Sequence, residues 1–169
     1  NKINIDNGIA IRDNGIDNFL YWDGAVGSLG NGRIAKAQSF WIKTNNVNPQ
    51  LTIKETCKTM TSASFHRKKI SDPDYLEVSI QSSGYNDKSY LRLRDHSSTG
   101  YDSLDIPKFA NDFMNLSFEV DNIPLAISAV DHIDCSQNHS INLSFAKKND
   151  GSFIKSPLGN YDLAINGFG

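Results

Sequence analysis

The chain has 169 residues, 17 of them basic and 19 acidic, for a formal net charge of -2. With no basic excess there is little to draw in a polyanion, so nucleic acid is a poor partner. No apolar run approaches the roughly 18 residues that a membrane-spanning helix needs, which argues against membrane insertion.

Taken in order, the elements announce themselves by alternation. Ile3, Ile5, Ile9 and Ile11 alternate with polar residues, and Phe19 to Trp22 follows. Arg33 to Thr44 reads as a longer strand in which Phe40 and Ile42 share one face and Trp41 takes the other. Gln50 to Lys54, Ser62 to His66, Tyr75 to Gln81 and Ser89 to Arg94 come next. Within Tyr75 to Gln81 the apolar set Leu76, Val78 and Ile80 faces inward, and Glu77, Ser79 and Gln81 face outward. Lys108 to Asn115 is expected to form at most one or two helical turns. Leu116 to Val120, Leu125 to Ala129, Ile141 to Phe145 and Tyr161 to Ile165 complete the set.

Between these runs fall Asn7-Gly8, Asn14-Gly15, Asp23-Gly24, Asn31-Gly32, Asp150-Gly151 and Asn166-Gly167. Asx-Gly pairs accept the positive φ angles of tight hairpins, so the expectation is antiparallel pairing throughout. The pattern implies an all-β fold: one antiparallel β-sandwich, jelly-roll-like, of about ten strands over residues 1–169. The basic run His66 to Lys69 reads as a solvated loop. Cys57 and Cys135 are too few for a disulfide scaffold and leave one bridge or two free thiols open.

Several of these segments, in order, resemble a known family. They are Tyr21 to Gly24, Gly32 to Lys43, Thr61 to Arg67, Leu91-Arg92-Leu93, Tyr101 to Asp105, Leu125-Ala126-Ile127 and Pro157 to Tyr161. The order is similar to the β-rich module near the C-termini of large secreted and surface proteins of the Bacteroidota. There it lies upstream of the sorting domain read by the type IX secretion system. The resemblance implies a non-catalytic module of such a cargo protein, on the outer cell surface of a Gram-negative bacterium or released from it. Its partners would be other domains of the same polypeptide and the secretion or surface-attachment machinery. The chain departs from the family at its start, where Asn1 to Gly15 holds no proline, and it lacks the hairpins expected after Tyr161 to Ile165. Both departures suggest a segment of a larger protein or a variant with altered edges.

Two groups of side chains could carry chemistry. Asp95, Asp102 and Asp105 are carboxylates at short spacing around Gly100, a pattern able to wrap a hard cation such as Ca²⁺ or simply to build Asx turns. Trp41, Tyr85 and Tyr101 could offer flat faces to a polysaccharide, a glycan-binding or adhesive alternative to the structural role. His132, Cys135 and His139 lack an obvious fourth zinc ligand, and no Ser sits in a G-x-S-x-G elbow. The expectation is therefore no enzyme.

Overall fold

A computed structural model describes residues 1–15, 18–59, 75–133, 139–149, 152–155 and 159–167. The expected strand Ser62 to His66, the basic run, the Asp150-Gly151 turn and Cys135 lie outside the described residues. Thirteen strands are present among the described residues: β1 Lys2–Ile3, β2 Ile5–Asp13, β3 Asn18–Trp22, β4 Trp41–Thr44, β5 Gln50–Leu51, β6 Tyr75–Ser82 and β7 Tyr85–Leu93, followed by β8 Ile106–Pro107, β9 Met114–Val120, β10 Ile123–Val130, β11 Leu143–Asn149, β12 Ser152–Lys155 and β13 Asp162–Gly167. The described residues contain no α-helix, and their one helical turn is Glu55–Cys57. Lys108 to Asn115 is not helical: Asn111 instead caps a turn, its Oδ1 accepting the Phe113 and Met114 amides.

The strands form three sheets. A two-stranded ribbon joins β1 to β5, and a three-stranded sheet runs β3-β2-β4. The large sheet runs β12-β11-β9-β10-β7-β6-β13, with β8 added beside β10. Among the described strands all pairings are antiparallel except β7 with β10, which is parallel. Leu125 pairs with both Phe118 and Pro107, and Ile127 with both Tyr90 and Ile106. One residue has one neighbour per edge, so β9 and β7 follow each other along one edge of β10 while β8 takes the other.

That arrangement opens a fork where β9 gives way to β7, and polar side chains fill it. Ser89 Oγ donates to the Leu116 carbonyl at 2.6 Å, and Asp87 Oδ2 accepts the Leu116 amide at 2.7 Å. Asp87 Oδ1 takes Lys108 Nζ at 2.7 Å and Asn18 Nδ2 at 3.1 Å. Both ion-pair partners are buried, and the extra bonds are what make such a pair tolerable away from water.

Each face of the large sheet has its own core. On one, Tyr90, Ile106, Ala126 and Ile127 pack against Ala10, Tyr21 and Val26 of the three-stranded sheet and its following loop. Gly8 permits the approach of the two layers, because a Cβ there would lie 2.2 Å from Ile106 Cδ1. On the other face Val78, Ile80, Leu91, Met114, Leu116, Phe118 and Leu125 form the second cluster. Its members come from the large sheet itself, so the sheet must curl to bury them, as half of a barrel would.

Two tight hairpins of the large sheet whose turn residues are described are not at Asx-Gly pairs. They fall at Ser83-Gly84, with φ of 50° and 82°, and at Asp121-Asn122, with φ of 52° and 62°. Positive φ at both central residues is the turn that matches strand twist. Asn7-Gly8 lies inside β2 instead, and the long strand expected over Arg33 to Thr44 is extended in a sheet only at Trp41–Thr44. Residues 23–40 form an irregular loop. Gly27 holds its close turn at φ 138°, where a Cβ would meet the Tyr21 carbonyl oxygen at 2.1 Å.

Candidate functional site

Antiparallel partners point the same way, so Ala10 carries Tyr21 and Trp41 onto one face of the three-stranded sheet. Phe19, two residues before Tyr21, joins them. Phe109 arrives from the segment after β8 and is fixed by Tyr21, whose hydroxyl donates to the Phe109 carbonyl at 3.1 Å and lies 2.6 Å from its amide. The result is a ring cluster. Phe19 meets Trp41 edge to face at 5.5 Å and stacks with Phe109 at 5.1 Å, and Trp41 lies 6.4 Å from Phe109. The Arg12 guanidinium stands 5.0 Å over the Phe19 ring.

Exposure separates anchors from contact surface. Tyr21 is 2 % exposed, and its burial pushes the phenol well above its usual pKa, so it stays neutral and serves as a strut. Trp41 and Phe109 remain 42 % and 40 % exposed, adjacent to one another at the rim of the layer. Such a pair offers flat apolar area with little side-chain entropy left to lose.

The other two aromatic candidates stand elsewhere. Tyr85 is half-exposed and stacks on Phe113 at 4.3 Å. Tyr101 lies under Lys43, whose Nζ is 4.1 Å from the ring centroid, and its buried hydroxyl has no hydrogen-bond partner among the described residues. Among the described residues no ring contact joins Trp41, Tyr85 and Tyr101 to one another. Phe19 and Arg12 could have been found from the sequence, since alternation places Phe19 in phase with Tyr21. Phe109 could not, because it lies in an irregular segment whose position depends on the Tyr21 hydroxyl.

The acidic loop is knotted by its own backbone. Asp102 Oδ2 accepts the Ser98 amide at 2.7 Å, and its Oδ1 accepts that of Leu104 at 2.7 Å. Asp105 is buried, with Oδ2 taking the Asp102 amide at 3.0 Å and Oδ1 the Ala129 amide at 2.8 Å. Burial raises its pKa, although the two amide bonds pull the other way. Asp95 is exposed on the same loop. Each of the four oxygens of Asp102 and Asp105 thus accepts a backbone N–H. Among the described residues no group of three or more His, Cys, Asp or Glu stands arranged to hold a metal ion. His132 and His139 are exposed, as is the free thiol of Cys57.

Asp23 shows the same use of a carboxylate for architecture. Its Oδ1 accepts the amides of Ala25 and Val26, both at 2.8 Å, and its Oδ2 meets Arg92 Nη1 of the large sheet at 2.5 Å. No known family model, no curated protein and no solved structure matches the chain. Fold and geometry define an all-β, mainly antiparallel protein whose interior charges tie strands together. Two of its exposed aromatic side chains, Trp41 and Phe109, stand together.

Proposed function

We propose that the chain is a non-catalytic structural module of an extracellular multidomain protein, of the kind carried by type IX secretion cargo. The three-stranded and large sheets are read as the two layers of a sandwich of jelly-roll-like type. The observation that carries this reading is how the interior carboxylates are used. Asp23, Asp87 and Asp105 are each 4 % exposed or less, and each bridges backbone amides or a cation on a different element. Groups spent as cross-links make a rigid spacer that holds its neighbours in place. Antibody raised against this chain should label intact cells expressing the parent protein. Labelling that appears only after the cells are permeabilised would remove the surface reading.

A second reading is favoured by one feature, the exposed pair Trp41 and Phe109 backed by Phe19 and Arg12. This surface suits stacking on the apolar face of a sugar ring, in a glycan-binding or adhesive role, with or without Ca²⁺. A glycan array probed with the purified chain, alongside Trp41→Ala and Phe109→Ala, tests it. Binding lost in both variants supports the role; no binding in any condition leaves the spacer alone.

A further inference from the structure

The fork between β9 and β7 holds more chemistry than an ion pair requires. The side chains of Asp87 and Lys108 are each 2 % exposed, and Asn18 and Asn111 are buried beside them. Lys108 Nζ and Asn18 Nδ2 both donate to the same atom, Asp87 Oδ1. A primary amine and a carboxamide thus share one carboxylate away from water.

The carboxamide is oriented from its other end. Asn18 Oδ1 accepts the Phe19 backbone amide at 2.7 Å and Asn111 Nδ2 at 3.1 Å. A backbone N–H can only donate, so the oxygen faces Phe19 and the nitrogen faces Asp87. Asn111 is itself held, its amide donating to Asn115 Oδ1 at 2.7 Å and its carbonyl accepting Asn115 Nδ2 at 3.0 Å. Lys108 is held as well. Its amide donates to the Pro124 carbonyl at 2.8 Å, and its Nζ donates to the Lys88 carbonyl at 2.9 Å. The same Nζ lies 5.5 Å from the centroid of the buried Tyr21 ring.

The geometry points to a covalent amide bond between Lys108 Nζ and Asn18 Cγ, made by the chain itself with Asp87 as the catalytic residue. Asp87 first takes one proton from the Lys108 ammonium, which exchanges a buried ion pair for a neutral one. The amine's lone pair then attacks Asn18 Cγ, and the carbonyl electrons move onto Oδ1. The Phe19 amide and Asn111 Nδ2 already donate to that oxygen, so the charge develops where two donors wait for it. Asp87 gives its proton to Nδ2 and takes the second one from Nζ. The Cγ–Nδ2 bond breaks, ammonia leaves and the carbonyl re-forms, so atoms and charges balance without any co-reactant. Attack of an amine on an amide is slow in water, but held reactants can reach effective molarities of about 10⁵ M or more. The product ties the first residue of β3 to the residue after β8, joining the two layers by a bond that denaturants do not open. It forms once per molecule and turns over no external substrate.

Mass spectrometry of the purified, denatured chain tests this. The intact mass should fall below the sequence mass by one ammonia, and a protease digest should yield a branched peptide joining Asn18 to Lys108. The branched peptide is the deciding readout, because a succinimide at an Asn-Gly pair also loses ammonia but joins nothing. Asn18→Ala keeps the Lys108–Asp87 pair and should fold, with its full sequence mass and no branch. Asp87→Asn, close in shape but unable to carry the proton, should leave Asn18 and Lys108 unjoined. A wild-type chain without the branched peptide would overturn the proposal, whatever the variants do. A branch formed with loss of water, or one that survives Asn18→Ala, would also overturn it, by placing the bond on another side chain.

Discussion

The two faces of the large sheet are buried by different means. One is covered by a separate layer, which supplies Ala10, Tyr21 and Val26 and is pinned by the Asp23–Arg92 ion pair. Among the described residues the other is buried mainly by the sheet's own curvature, with Tyr101, Phe113, Ile133 and Tyr161 from the loops packed against it, and cover runs out at β12 and β13. An added layer protects whatever it overlies, whereas curling protects the middle and leaves the margins wet. Stability should therefore concentrate at β7, β9 and β10, where both faces are dry, and adaptability at the outer strands.

The largest expected effect breaks the fork that joins the layers. Lys108→Met leaves Asp87 buried without its cation and should cost about 3–5 kcal/mol, read from urea denaturation. A loss under about 1 kcal/mol would mean that the fork is wet. Leu125→Ala tests the middle of the curled face. Leu125 has no exposed area, so the cavity should cost about 2–5 kcal/mol. The same truncation at Leu163 should fall within about 0.5 kcal/mol of the wild type. That contrast sharpens the comparison of centre with margin.

Asp105 gives the comparison a pH axis. Burial holds its carboxyl above the usual carboxylate range in the folded chain, so folding takes up a proton between the unfolded and folded pKa values. Its contribution is present in full below the unfolded pKa and is lost as pH rises through the folded one. Asp105→Asn should remove that acid-side slope, measured as denaturation midpoint against pH; an unchanged slope would assign it to another group. The smallest effect concerns the hairpin at Ser83-Gly84. Ser83 holds φ of 50°, which asparagine tolerates better, so Ser83→Asn should stabilise by a few tenths of a kcal/mol.

Strand positions and facing were largely legible because a period of two is a local property. Leu76, Val78 and Ile80 face the core as their alternation says. Turn chemistry was legible only in part. Asp23-Gly24 does build a turn, through Asp23 Oδ1, but Asn7-Gly8 serves close packing instead. There a small residue was needed for Ile106, and nothing nearby in sequence signals a neighbour roughly a hundred positions away. The roles of the carboxylates were hidden for the same reason. Asp102 and Asp105 read equally as cation ligands or turn formers, and only the placement of the Ser98, Leu104 and Ala129 amides shows where their oxygens point. Trp41 was visible as a stacking candidate set opposite Phe40 and Ile42, whereas its companion Phe109 comes from a segment without periodicity.

Native-state hydrogen exchange, resolved by residue, tests most directly the claim that the curled face is closed in the middle and open at its margins. The account predicts the slowest amides in β7, β9 and β10 and the fastest sheet amides in β12 and β13. Protection of β13 equal to that of β10, in the chain alone, would contradict it.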